Sequence, residues 1–473
     1  MDIGTQGLKV VVTDDELAVL GEASEVLAVH HPRPGWAEQA PGDWERALAP
    51  AIAAALQRAA VDPSEVRALA VAGQLDGCVA VDAAGEAMGP CLIGMDRRAE
   101  GCVPDGLEAL DLGVIPDGGH LGAKARWLAR AGVGAARFHQ PVSYLVARLT
   151  GEHVFDHGLA STTMLYAPAQ RDYDDDALAL FEIERAQLPR IDEATACAGR
   201  LHAAGAALTG LPLGIPVAVG TGDDLATPLG AGIIAPGAVV CVLGTAEVVG
   251  ALHPTPLRDP ARLVQALAYP GGCSFIENPG WLSGGALAWL TRILGGDFAA
   301  LDAAAGGVPP GADGVTFVPA LSGAMAPEWI AAGRGAWTGL TAAHGRGHLV
   351  RAVMEGCAFA MRDVIERLDA LGVATVRVVL LGGGARSTVW PVMRADLTGR
   401  RVDVFERVDT CPVGAAMLAA VAADIQPDLA TCARAVAQPS RTVEPDPATR
   451  AAYDEAYQRY RRTFGALATL WND

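Results

Sequence analysis

Short runs of aliphatic and β-branched residues alternate along this chain with longer Ala- and Leu-rich stretches of helical period, the pattern of an α/β fold. Val10 to Val12, Ala68 to Ala72, Ile215 to Val219, Ala238 to Leu243, Val315 to Val318 and Val376 to Leu381 read as strands, most of them stopping at glycine. Helical spacing covers Asp43 to Ala60, Lys124 to Ala131, His348 to Leu371 and the stretch from Asp396 onward. In the closing helix Asp446 and Pro447 supply a cap and a first-turn proline. Tyr453, Tyr457, Tyr460 and Phe464 then share one face, a packing stripe.

Two glycine-threonine turns join strand-like runs about half a chain apart: Asp2-Ile3-Gly4-Thr5-Gln6-Gly7-Leu8-Lys9 and Cys241-Val242-Leu243-Gly244-Thr245-Ala246-Glu247. Each half is expected to open its core with a hairpin whose turn amides face a shared cleft. Glycine lets backbone approach an anion closely, and successive N–H donors form a concave nest, so the pair suits a triphosphate. Ala231 to Ala238, with Pro236, separates the halves and places the expected domains at 1–234 and 235–473.

A length of 473 residues exceeds one ordinary core and favours two domains. The net charge of −18 argues against coating nucleic acid or anionic membrane, which takes clustered Lys and Arg. Nine scattered cysteines without a C-x-x-C pair read as reduced thiols, mostly core filler. No cleavable leader or membrane-length apolar run is seen, so a cytoplasmic protein with small-molecule partners is expected.

Asp2 heads the first hairpin, where a carboxylate beside phosphate-binding amides calls for a divalent cation; a turn-capping role is the plain alternative. Lys9 reads equally as a phosphate partner or a surface charge. Val217 to Asp224 runs from a strand into a glycine turn carrying Asp223 and Asp224, where open α/β sheets bind ligands. One of the two could abstract a hydroxyl proton; spacing does not say which, and either could cap the turn. Leu381-Gly382-Gly383-Gly384-Ala385-Arg386-Ser387-Thr388 follows a strand and lets adenine or phosphate lie on backbone, though glycine-rich turns are common. Gln74-Leu75-Asp76-Gly77 and Asp96 with Arg98 follow other strand-like runs and suit polyol recognition or loop capping. His120, His157 and His348 have no metal spacing and read as structural or solvated. Neither a P-loop nor a G-x-S-x-G elbow occurs.

Together these segments resemble the FGGY carbohydrate kinases, and within them the xylulokinases. Asp2-Ile3-Gly4-Thr5 is similar to the first phosphate motif and Gly244-Thr245 to the second. Gly335-Ala336-Trp337-Thr338-Gly339-Leu340, then seven residues, then His348 to Glu355 fits the C-terminal signature. Trp36 to Gln39, Gly73 to Gly77, Gly222-Asp223 and Gly382 to Ser387 fall in family order, so the likeness covers nearly the whole chain. It implies two actin-like domains of the ribonuclease H type around a deep cleft, with sugar on the first domain and ATP mainly on the second. By position, Asp223 resembles the catalytic base and Asp2 the acid serving Mg²⁺ and phosphates, with Asp223 a second metal neighbour. Gln74, Leu75, Asp76, Asp223 and Asp224 would meet the sugar. Gly4, Thr5, Gln6, Lys9, Gly244, Thr245, Gly383, Gly384, Ala385 and Thr388 would meet the nucleotide.

The chain departs from the family pattern in places. Only Met1 precedes Asp2 where family members usually carry several residues, so either the start is misassigned or the opening strand is short. Leu75-Asp76 stands where xylulokinases typically carry Met-His, exchanging a donor for an acceptor. Ser322-Gly323-Ala324-Met325-Ala326-Pro327 lacks the charges of the family's Ser-Gly-Glu-Arg-x-Pro loop, and Asp224 stands where Asn is frequent. The expected activity is ATP- and Mg²⁺-dependent phosphorylation of a ketopentose, D-xylulose by preference, by a protein that could form a homodimer. Ribulose, L-xylulose or a sugar alcohol is the alternative acceptor. A non-catalytic sugar- or nucleotide-binding regulator, or an actin-like chaperone ATPase, is the alternative class.

Overall fold

The computed structural model describes residues 1–405 and 409–472. By contacts the chain divides into two units: Met1–Ile234 with Leu267–Ser274 and Asp409–Ala437, and Ala235–Ala266 with Phe275–Val408 and Gln438–Asp473.

The first unit opens on β1 (Asp2–Ile3), β2 (Gly7–Thr13) and β3 (Val19–Val26), followed by α1 (Pro41–Ala59). Later come β4 (Ala72–Gly73), α2 (Leu121–Arg130), β5 (Thr221–Gly222) and α3 (Asp223–Leu229). The sheet order is β5-β4-β1-β2-β3, with β5, β4 and β1 parallel and β1-β2 the antiparallel hairpin that the glycine turn predicts. Trp44, Leu48, Ala51, Ile52, Ala55 and Leu56 recur at helical spacing on α1 and are all buried, so that face forms the core against the sheet.

The second unit carries β6 (Gly237–Leu243), β7 (Ala246–His253), α4 (Gly284–Leu294), β8 (Thr316–Val318), β9 (Ala336–Thr338), α5 (Arg346–Ala370), β10 (Thr375–Leu381), α6 (Trp390–Thr398) and β11 (Val402–Val404). Next comes α7 (Cys411–Ala422), which belongs to the first unit, and then β12 (Arg441–Val443) and α8 (Arg450–Asn472). Strands of its main sheet lie in the order β7-β6-β10-β11-β12. Tyr453, Tyr457, Tyr460 and Phe464 are buried, as their stripe predicts.

Three local expectations change. Of Ala68 to Ala72, only Ala72 enters a regular strand, with Leu69 bridged singly to Val217, because β1 beside it is two residues long. The helix read from Asp396 onward is α6, which starts at Trp390 and stops at Gly399 in the left-handed region, φ 65°. Asp446 caps a turn, accepting from the Ala448 N–H, and α8 begins at Arg450. All nine cysteines are free, and seven are buried. Among the described residues no helix is long and apolar enough to cross a membrane.

Candidate functional site

Because β5, β4 and β1 run parallel, with Ala72 paired to both Asp2 and Thr221, their carboxyl ends bring three predicted segments to one sheet edge. These are Gly4 to Gln6, Gln74 to Asp76, and Asp223 with Asp224. A Cβ on Gly222 would lie 2.2 Å from Leu75 Cδ2, so the half-buried Leu75 packs tightly beneath this edge.

Asp2 is buried, its Oδ1 has no hydrogen-bond partner, and its Oδ2 lies 3.8 Å from Lys9 Nζ. Burial raises its pKa, against the pull of Lys9 and the α-amino group. Asp223, half-buried at the first position of α3, has a pKa pushed well up by burial, then by Asp224 and Asp2. The Asp224 N–H donates to Asp223 Oδ1 at 3.1 Å. Local spacing left these two acids equivalent; the structure sets Asp223 within the field of Asp2. The Cys411 thiol joins this cluster, its pKa pushed well up by burial and by Asp2 and Asp223. No sequence signal marked it, because it arrives from α7.

A side-chain relay fixes the Gln74 to Asp76 loop. Gln39 Nε2 donates to the Thr5 carbonyl at 2.7 Å, and Gln74 Nε2 donates to Gln39 Oε1 at 2.7 Å. That order orients the Gln74 amide and leaves its buried Oε1 without a partner. Asp76 occupies the left-handed region at φ 62°, with its N–H on Gln140 Oε1 and its carbonyl accepting from Lys124 Nζ at 2.7 Å. Its Oδ1 is 2.9 Å from Nδ1 of buried His120, a contact that no spacing in the sequence signals. His157 bonds Tyr166 and His348 bonds Asp313, both away from it. Asp96 and Arg98 pair with each other, Arg98 also reaching Glu38 and lying 3.6 Å over the Trp36 ring.

In the second unit the β6-β7 turn exposes Gly244 and Thr245, and the Thr245 carbonyl accepts from Ser283 and Gly285 at the start of α4. Parallel β10 pairs Leu381 with Val242, so the Gly382 to Ala385 turn leaves the same sheet edge. Gly382 has φ 84°, and a Cβ there would meet the Leu243 carbonyl oxygen at 2.7 Å, so only glycine fits. Thr388 differs from its neighbours: its hydroxyl and N–H both go to Asp302, which also takes the Ser387 hydroxyl. Behind the hairpin, Glu247 and Arg394 form a fully buried bidentate pair at 2.5 and 2.8 Å. The 335–355 signature is largely packing: Trp337 stacks on Trp289 at 5.5 Å, and Arg351 pairs with Glu355.

Among the described residues no group of three or more His, Cys, Asp or Glu is arranged to hold a metal alone. Asp2 and Asp223 provide two carboxylates, one with a buried oxygen lacking a partner, and this fits an ion that takes its other ligands from water and phosphate.

The first unit thus carries a strand-end glycine turn and an acid pair beside a polar loop, and the second unit carries two strand-end glycine turns of its own. Residues 1–230 match the N-terminal domain of the FGGY family of carbohydrate kinases and residues 239–423 its C-terminal domain. The chain belongs to this family and is an ATP-dependent carbohydrate kinase. It is 31% identical to xylulose kinase of Escherichia coli, over 99% of each chain. It is 30% identical to glycerol kinase of Thermococcus onnurineus, over 90% of this chain and 88% of the other. The solved xyloylose kinase of Brucella ovis superposes with TM-score 0.92 at 31% identity, covering 99% of both chains.

Proposed function

We propose that the chain phosphorylates a ketopentose, D-xylulose by preference, to D-xylulose 5-phosphate. The observation that carries this reading is the end-to-end likeness to a xylulose kinase, whereas the glycerol kinase match stops short of both chain lengths. Asp223 is the general base: its raised pKa makes it a stronger proton acceptor for the attacking hydroxyl than an ordinary carboxylate. Asp224 is its neighbour on the sugar side. Asp2 and Asp223 would hold Mg²⁺ arriving with ATP, which when bound supplies charge neutralisation on the phosphates. Lys9 adds a positive charge beside Asp2. Gly4, Thr5 and Gln6, with Gly244 and Thr245, offer backbone to phosphate, and Gly383, Gly384 and Ala385 to the nucleotide. Thr388 acts through the Asp302 anchor that shapes this last turn. Gln74 and Asp76 read sugar hydroxyls, with Leu75 as their support. The reading places the enzyme in the cytoplasm, with a homodimer as the assembly to look for.

A second reading, another ketose or a polyol such as ribulose, L-xylulose or a sugar alcohol, is favoured by Asp76, an acceptor where a donor is usual. The test is a coupled ADP-release assay with ATP, Mg²⁺ and a panel of ketopentoses, pentitols, glycerol and gluconate. Strong stimulation by D-xylulose is expected. A higher kcat/KM for another member transfers the assignment to it, and no stimulation by any member overturns both readings.

A further inference from the structure

The two ring nitrogens of His120 both face acceptors: Nδ1 is 2.9 Å from Asp76 Oδ1, and Nε2 is 3.0 Å from the Ile115 carbonyl oxygen. A neutral imidazole carries one N–H and would leave one of these contacts without a proton, whereas an imidazolium fills both. The charged groups around the ring are Asp76, Asp117 with its partner Arg97, and Lys124. Burial opposes the ring's charge, but Asp76 and then Asp117 outweigh it and raise the His120 pKa. Lys124 is spent on three carbonyls, those of Asp76, Ile93 and Gly119, and so clamps the loop backbone without reaching the Asp76 carboxylate.

Asp76 Oδ1 is thus held by His120, while no hydrogen bond among the described residues reaches Oδ2 on this quarter-exposed side chain. Gln74 Oε1, two residues away, is likewise an acceptor without a donor. Acceptors lacking donors at the carboxyl end of one strand select a ligand rich in hydroxyl protons, and they repel a carboxylate.

We infer that His120 is a positioning residue of the sugar site: as an imidazolium it fixes Asp76 so that Asp76 Oδ2 and Gln74 Oε1 receive hydroxyl protons from a neutral polyol, and the site turns away sugar acids. This rests on the kinase reading and narrows its substrate class. With the neutral substrate chosen by the panel, the sugar KM of the wild type rises with pH as the ring loses its proton, while kcat and the KM for ATP hold. His120→Asn, which keeps one donor, raises the sugar KM about tenfold, the worth of one charge-assisted hydrogen bond, and removes its pH dependence. His120→Phe does so more strongly. An aldonic acid of the same carbon count is turned over at least about tenfold less well than the neutral sugar, and Asp76→Asn narrows that gap.

The ¹⁵N shifts of labelled histidine report the ring directly without substrate, on wild type assigned by comparison with His120→Asn. A neutral ring at pH 7 overturns the inference, as do an unchanged pH dependence of the sugar KM in His120→Asn and equal turnover of the aldonic acid. Failure of every ketopentose in the panel ends the ketopentose reading alone, because the ring's protonation and the preference for uncharged ligands are read without one.

Discussion

Lys9 Nζ lies 2.6 Å from Asp409 Oδ1, a pairing between residues 400 positions apart that brings a cation to within 3.8 Å of buried Asp2. Burial works against the charge of Lys9, yet Asp409 and Asp2 raise its pKa, so it stays protonated across the working range. Lys9→Met should leave Asp2 and Asp409 without this shared counter-charge. We expect kcat/KM for ATP to fall by roughly one to two orders of magnitude. The partly exposed pair contributes less than about 1 kcal/mol to stability, so the melting temperature should scarcely move. Steady-state kinetics beside a thermal melt separate the two effects, and normal ATP kinetics would remove Lys9 from the phosphate site.

Asp223→Ala should lower kcat by roughly two to four orders of magnitude, the range for a positioned acid-base group. Asp224→Ala should cost far less. The sign with pH follows from the raised pKa of Asp223: the base works only when ionised, so kcat/KM falls as pH drops through a value above the ordinary carboxylate range. A rate profile in which wild type keeps full activity down to pH 4 would exclude it.

The extent to which this site was legible follows from where its residues lie. Glycines at strand ends were readable because each marks a close approach or a left-handed backbone, as at Gly222 and Gly382. Asp2, Asp76 and Asp223 were readable because each immediately follows or heads such a run. His120 and Cys411 were not, since they enter from α2's capping position and from the first position of α7, and nothing local distinguishes them from core filler. Equally, the first turns of α6, from Trp390-Pro391 to Ala395, lie ahead of the expected start at Asp396, and Gly399 ends the helix three residues beyond it.

Glu247 and Arg394 tie the second hairpin to α6, both wholly buried. Arg394→Met should cost about 3–5 kcal/mol, because it strands a buried carboxylate. The double variant Glu247→Leu with Arg394→Met should recover most of that loss, since an apolar pair has no charge to desolvate. Chemical denaturation of the two variants checks the sign; a double variant less stable than the single one would show that the pair is worth more than its desolvation.

Asp156 gives a stability effect with a definite pH window. Buried, it has a pKa pushed up to about 6 from an ordinary 3.8, although the N–H groups of Gly158 and Leu159 and the Thr221 hydroxyl favour its charge. Between these values the folded chain holds a proton that the unfolded chain has released. The stabilising contribution is therefore full below about pH 4 and lost as pH rises through 6, amounting to about 3 kcal/mol. Asp156→Asn keeps the cap and cannot titrate, so the difference in unfolding free energy between variant and wild type should change across that window in the variant's favour. Parallel stability curves would refute the assignment.

β1 lies between the seven-residue β2 and the segment that leads into β4. Asp2 pairs with Lys9 on β2 and with Ala72 on β4, and the Met1 α-amino group donates to the Ala70 carbonyl at 2.9 Å in place of a ladder N–H. Carried backward, the same register would set added residues opposite Val11, Val12 and Thr13 on one side and Ala70 to Arg67 on the other. A cavity of about 160 Å³ lies there, lined by Val10, Val12, Ile52, Leu56, Leu69 and Ala420 among others. Five residues of alternating apolar and polar type joined ahead of Met1 should therefore extend β1 and bury about two side chains at ~1.5–3 kcal/mol each, before the cost of ordering the segment. The extension also turns a buried ammonium, whose pKa burial has lowered, into a neutral amide. We expect the melting temperature to rise by a few degrees, as ~1 kcal/mol shifts a unit of this size by about 2–4 °C. The same extension with a central proline, which lacks the ladder N–H, should give no gain. Equal melting temperatures for the two extensions would mean that the segment does not pair in the sheet.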